Sequence, residues 1–293
     1  PIARTVPHVL EAHGQARTDD YYWLRERDDP EVIAYLEAEN AYTEAVMAPL
    51  KPFEDRLYDE IVGRIKPTDL SVPYRRDDFF YYVRFEAGKE YPIHCRRPGS
   101  LEAPEQVMVD VNAVAEGHDF CRVGGLAISA GQDILAYAVD LVGRNICTIR
   151  FRNLSTGEDL ADEIPEVTWN LAWASDNRTL FYARQDPTTL RAHRVYRHVL
   201  GTDPATDVLV FDETDEEYDC FVWRGKSDRF LFVASQRTLT SEVRFLPADE
   251  PGGEKHSQLC SAPARSATSA SLARRPSSIP SISRSRKKRE RSA

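Results

Sequence analysis

No hydrophobic run in this chain approaches the roughly 20 residues needed to cross a bilayer, and the first thirty residues carry charges where a secretory leader holds an apolar stretch. Those two absences set the expectation of a cytoplasmic protein with no membrane partner. Paired cysteines are missing as well. Cys95, Cys121, Cys147, Cys220 and Cys260 stand singly, which leaves out the C-x-x-C metal and redox motifs and makes buried free thiols the expectation. There is no G-x-S-x-G pentapeptide, the strained turn that exposes the nucleophile of an α/β-hydrolase. A phosphate-binding G-x-x-x-x-G-K-[ST] loop is also absent: Gly225-Lys226-Ser227 comes nearest, but Cys220 stands where the first glycine belongs.

From Glu254 onward Phe, Trp and Tyr disappear and 11 of 40 residues are Ser. Such a segment cannot bury enough apolar surface to offset its ordering entropy, so residues 254–293 are expected to be disordered. The net charge of −9 is unevenly spread, with ten Lys/Arg against two Asp/Glu in this tail and 28 against 45 in residues 1–253. The basic stretch Arg284-Ser285-Arg286-Lys287-Lys288-Arg289-Glu290-Arg291 has the composition of a nuclear-targeting or nucleic-acid patch. It lacks base-stacking aromatics, so nucleic acid is not an expected partner.

What is present has two periods. Asp28 and Asp29 offer an N-cap, Pro30 suits a first helical position, and Glu31 to Met47 contains neither Gly nor Pro, so a helix is predicted there. A second is predicted from Phe53, where Phe53, Leu57, Ile61 and Ile65 fall on one face before Pro67 stops it.

Beyond Pro67 the pattern becomes strand-like, with runs at 78–85, 134–139, 179–183 and 229–234. Taking Tyr82, Tyr137, Tyr182 and Phe232 as equivalent anchors gives intervals of 55, 45 and 50 residues, the spacing of propeller blades. Each anchor is followed by a second strand-like run centred on Ile93, Ile149, Val195 or Val243. Three are preceded by a third: Leu126-Ala127-Ile128, Leu171-Ala172-Trp173 and Phe221-Val222-Trp223. Turn residues follow two of the units, at Ser155-Thr156-Gly157-Glu158 and Gly201-Thr202-Asp203-Pro204. Three or more strands per unit suit a blade better than they suit an irregular β-sandwich.

Several groups of polar residues invite a chemical reading. Ser129, His118 and Asp133 could be drawn as a triad, but none sits in a nucleophile elbow. His193 and His198 are five apart, so on one strand they point to opposite faces and do not share a metal. The run Asp212-Glu213-Thr214-Asp215-Glu216-Glu217 with Asp219 reads as a solvated loop between blades, of interest for basic peptides if it lines a channel. No catalytic, cofactor-binding or metal-ligating residue is assigned, and no cofactor is expected.

Several stretches resemble the oligopeptidase B branch of the prolyl oligopeptidase family. Asp19-Asp20-Tyr21-Tyr22-Trp23-Leu24-Arg25 resembles its opening motif, and Pro30 to Asn40 its first helix. Further likenesses follow in order: Tyr81-Tyr82-Val83-Arg84, Gly88-Lys89-Glu90-Tyr91-Pro92-Ile93, Gly117-His118-Asp119-Phe120, Leu180-Phe181-Tyr182, Val199-Leu200-Gly201-Thr202-Asp203 and Thr240-Ser241-Glu242-Val243. One departure stands out, Ser129-Ala130-Gly131-Gln132-Asp133 where the family usually has Ser-Pro-Asp.

The resemblance implies a mainly β fold: an incomplete β-propeller of about three to four blades, from a seven-bladed family fold, after an α-helical N-terminal extension. Its implied divisions are 1–68, a helical part that packs on a hydrolase domain; 69–253, the partial propeller; and 254–293, the disordered basic tail. Implied too is a serine endopeptidase that cuts short peptides after Arg or Lys, its propeller restricting access. The hydrolase domain with Ser, Asp and His is expected to be missing, leaving the chain inactive alone. The tail's Arg, Ser, Ala and Pro content suggests a frameshift near Pro251-Gly252-Gly253. The alternative expectation is a propeller-type protein-interaction module.

Overall fold

The computed structural model describes residues 1–253 and the short strand His256–Ser257; apart from that strand, the tail expected to be disordered, with the basic run and Cys260, lies outside the described residues. The chain divides into two compact units, Pro1–Pro67 and Thr68 onward.

The first unit begins with a feature the sequence reading passed over, a hairpin of β1 (His8–Ala12) and β2 (Gln15–Asp19). Its two-residue turn places His13 and Gly14 at φ 52° and 76°, the left-handed pair that matches strand twist in tight hairpins. A 3-10 turn at Tyr22–Arg25 leads to α1 (Pro30–Met47), where the Asp29 carboxylate accepts from Glu31 N–H at 2.8 Å. The second helix, α2 (Lys51–Gly63), starts earlier than predicted because Pro52 occupies its first turn, and it ends before Ile65. Phe53, Leu57, Ile61 and Ile65 all stand exposed.

The second unit is a succession of antiparallel sheets. The first contains β3 (Tyr74–Arg76), β4 (Phe79–Arg84), β5 (Ile93–Pro98) and β6 (Gln106–Asp110), followed by the short helix α3 (Val111–Ala115). The next strands are β7 (Arg122–Ile128), β8 (Ile134–Asp140), β9 (Cys147–Asn153) and the 15-residue β10 (Asp159–Trp173). After them come β11 (Thr179–Gln185), β12 (Ala192–Val199) and β13 (Val208–Asp212). A last sheet holds β14 (Asp219–Arg224), β15 (Phe230–Gln236), β16 (Ser241–Pro247) and β17 (His256–Ser257).

By hydrogen bonding, β7 to β13 are one seven-stranded sheet. Packing divides it in two at β10, whose first part pairs with β9 and whose last part pairs with β11. The division falls at Pro165, which has no N–H for a ladder, and Glu166, left-handed at φ 58°. Strand β10 is therefore the outer strand of the second sheet and the inner strand of the third.

The core lies between successive sheets. Tyr81, Met108 and Val109 of the first meet Leu135, Tyr137 and Val139 of the second. Ala136, Ile149 and Phe151 of the second meet Trp173, Leu180 and Tyr182 of the third. Phe181, Val195 and Val210 of the third meet Val222, Leu231 and Val233 of the fourth. Alternate residues of each second strand thus serve opposite interfaces.

The structure moves one anchor. Tyr82, Tyr137 and Tyr182 face backward along the series of sheets, and so does Val233, whereas Phe232 stacks with Trp223 (ring centroids 5.3 Å apart) on the opposite face. The fourth equivalent position is Val233, one residue beyond the aromatic that the periodicity selected. A shift of one residue exchanges faces, and an apolar run buried on both faces gives the sequence no means of choosing.

Trp173 is 1% exposed and spans the second interface, its indole N–H donating to Ala127 O at 3.0 Å. Trp173→Ala is expected to lower the unfolding free energy by about 3–5 kcal/mol in a denaturant titration.

Candidate functional site at the inner strands and their turns

The inner strands β3, β7, the end of β10, and β14 each enter their sheet's second strand through a tight turn, and β10 lies beside both β7 and β14. In all four turns a non-glycine residue adopts the left-handed conformation: Asp77 (φ 52°), Gln132 (64°), Asn177 (57°) and Asp228 (55°). Asp and Asn adopt it readily because their short polar side chains bond locally, but Gln does not share that advantage. Gln132 belongs to the segment that departs from Ser-Pro-Asp.

Hydrogen bonds from the neighbouring sheet hold Gln132 in place. Its Nε2 donates to Asp77 at 2.9 Å, its Oε1 accepts from the Tyr81 hydroxyl, and its carbonyl accepts from the buried Arg96 guanidinium at 2.6 Å. Gly131 N–H then reaches Asn177 Oδ1 at 2.6 Å. A Cβ on Gly131 would meet Asn177 Nδ2 at 2.6 Å, so a side chain there would displace the Asn177 amide and weaken this bond. Between the third and fourth sheets, Arg224 donates to the carbonyls of Trp173 (3.2 Å) and Ala174 (3.3 Å) and to Ser175 Oγ (3.0 Å). These bonds stitch together turns of adjacent sheets.

Ser129 is fully buried in this turn system, donating to Asp133 at 2.8 Å and accepting from Ile134 N–H at 3.1 Å. Its hydroxyl is a turn element. His118, the base of the imagined triad, lies instead in an open cleft of about 440 Å³ with Lys89 and Asp110. Gly225-Lys226-Ser227 forms part of the β14–β15 turn.

In the third turn, burial alone would raise the Asp176 carboxyl, but the Thr179 hydroxyl (2.7 Å) and the N–H groups of Thr179 and Arg178 outweigh it and hold the pKa below the usual value. The acidic run joins β13 to β14 and is tied down by arginines. Arg191 donates to the carbonyls of Glu213 (3.3 Å), Asp215 (3.1 Å) and Tyr218 (2.7 Å), Arg194 pairs with Asp212 at 3.1 Å, and Arg237 pairs with Glu217.

The two histidines of β12 have different surroundings. His193 is half-buried, beside a cleft of about 220 Å³ with Asp186, Arg191 and Glu216. His198 is fully buried, with Nδ1 2.8 Å from Asp207 and Nε2 3.8 Å from Asp162, while Asp207 also accepts from the Tyr182 hydroxyl at 2.8 Å. The network was not legible in the sequence because its members lie on four segments, β10, β11, β12 and the connection before β13. Among the described residues no group of three His, Cys, Asp or Glu side chains could hold a metal ion.

The four described cysteines are buried thiols. Burial pushes Cys220 up to about 12 and both Cys95 and Cys147 up to about 11.

Successive antiparallel sheets joined through shared cores and linked turns, with β10 beside both β7 and β14, define a partial β-propeller. The chain belongs to the prolyl oligopeptidase family: residues 1–269 match the description "Prolyl oligopeptidase, N-terminal beta-propeller domain". That match runs past Gly253, where the likeness was expected to stop. The chain is 49% identical over 270 residues to dipeptidyl aminopeptidase BI of Pseudoxanthomonas mexicana, covering 86% of this chain and 37% of that protein. It is 36% identical over 258 residues to Protease 2 of Moraxella lacunata, with the same two coverages. Among solved structures, oligopeptidase B from Leishmania major superposes with a TM-score of 0.78 at 32% identity, covering 88% of this chain and 39% of that one. The chain therefore spans little more than a third of these relatives.

Two outcomes are expected. Because the Asp176 pKa is depressed in the folded state, its contribution to stability is complete above the unfolded value near 4 and is lost as pH falls through the folded one; Asp176→Asn should flatten the acid limb of a melting-temperature-against-pH curve. A disulfide reagent should meet at most the Cys260 thiol in the native chain and four more after denaturation.

Proposed function

We propose that these residues form the substrate-screening part of an oligopeptidase B-type serine endopeptidase, with the bond-breaking chemistry carried by sequence outside the matched span. The carrying observation is the continuous series of propeller sheets, like oligopeptidase B over 88% of the chain. In this reading residues 1–68 pack on a hydrolase domain through the exposed face of α2, and 69–253 contribute to the propeller ring that admits peptides and excludes folded proteins. Basic oligopeptides cut after Arg or Lys are the proposed substrates. A cytosolic setting fits the unpaired thiols.

The reading predicts that the purified chain does not hydrolyse a chromogenic Arg substrate, and turnover sensitive to a serine reagent would overturn it. It also predicts that residues 1–253, exchanged for the matching segment of a full-length relative, preserve cleavage of short basic peptides without admitting folded proteins. A chimera that folds yet degrades a folded protein would refute the screening role.

A second reading, a protein-interaction module, draws on the apolar far face of the fourth sheet, where Trp223 stacks on Phe232 and Phe245 packs against Phe232 and edge-on to Phe230. Stoichiometric capture of one specific partner, lost on Trp223→Ala, would favour it.

A further inference from the structure

The polar links between turns run in a cycle. Gln132 to Asp77 joins the first and second turns, Gly131 to Asn177 the second and third, and Arg224 to Ser175 and the carbonyls before it the third and fourth. The cycle is completed by Arg76 of the first turn and Asp228 of the fourth, whose Nη2 and Oδ1 stand 3.7 Å apart. The first and fourth sheets are the two ends of the series, so this contact joins turns that no shared sheet edge or apolar core brings together.

We infer that the Arg76–Asp228 pair is an ionic clasp that sets whether this end of the propeller axis is closed. The other links are hydrogen bonds at 2.6–3.3 Å between sheets that also share apolar cores. The clasp alone has no shared core behind it: the three clusters that join sheets link the first to the second, the second to the third and the third to the fourth. Both of its side chains are about half exposed, at 42% and 48%, so solvent and salt weaken their attraction.

Each partner also has an ion pair within its own turn, which holds it ready when the clasp is open. Asp228 pairs with Arg224 at 2.9 Å, and Arg76 lies 3.8 Å from Asp77. Opening therefore strands neither charge. A pair that is weak, screened and internally compensated suits a contact made and broken repeatedly, unlike the buried Arg96 bond from β5 to the second turn. The inference concerns a contact within this chain and stands apart from the peptidase reading.

The test uses the whole chain with nitroxide labels on Asp78→Cys and Ser227→Cys, both exposed turn positions, in a Cys260→Ser background. At low salt the inter-label distance should be short and narrowly distributed. In 1 M salt it should become longer and broader, because the Debye length falls to about 3 Å. Asp228→Asn and Arg76→Gln should each reproduce the high-salt distribution at low salt, with the melting temperature unchanged.

A distribution indifferent to salt and to both single substitutions overturns the clasp. So does an effect of Asp228→Asn without one from Arg76→Gln, since that would place the action in the Arg224–Asp228 pair. Should labelling disturb folding, the unlabelled Arg76→Lys variant provides a second measurement. A zero-length carbodiimide should join positions 76 and 228 at low salt and lose most of that product at high salt, and absence of the cross-link at both overturns the proposal.

Discussion

Everything in the second unit depends on burying both faces of a sheet at once. An antiparallel sheet with one wet face can alternate apolar and polar residues, but a sheet clamped between two others cannot. Strand β8 is buried from Leu135 to Asp140, and β11 has Leu180, Phe181, Tyr182 and Ala183 all fully buried. Each such residue contributes on the order of 1.5–3 kcal/mol for a large aliphatic or aromatic side chain, and the strand divides its contributions between the sheets before and after it.

Two consequences follow from that constraint. Stability accumulates sheet by sheet through nearest-neighbour interfaces, as in other repeat architectures. Apolar contact is also non-directional, so the angle and register between sheets are set by polar groups at their rims. Arg96, Arg224, the Trp173 indole and the Gln132 side chain each bond across to an adjacent sheet. These groups bond at or beside the turns that follow the inner strands, where the Gly131 N–H also donates to Asn177.

Much of this was legible in the sequence. The runs around Tyr82, Tyr137, Tyr182 and Phe232, with their partners near Ile149, Val195 and Val243, lie on β4, β8, β11, β15 and the strands after them. Asp29 and Pro30 marked the start of α1 by local chemistry alone. Less legible was the hairpin at His8–Asp19, whose short, largely exposed strands carry no periodic signal. The choice between Phe232 and Val233 was hidden for the opposite reason, because Phe230 to Ala234 are all apolar. The candidate site was nearly invisible: the left-handed residues are Asp, Gln, Asn and Asp, a set without a motif, and their links join residues about 45 to 55 apart.

The sequence by itself determined the repeat, its strand content and the kinship with prolyl oligopeptidase propellers, since periodicity and local motifs are properties of neighbours along the chain. Tertiary structure alone decided which face of each strand looks backward and which forward, and that Ser129 serves a turn. It also placed His198 between Asp162 and Asp207 and brought Arg76 of the first sheet to Asp228 of the fourth. Those outcomes depend on how whole sheets come together in space. Residues far apart in the chain become partners only after the apolar faces have chosen their register.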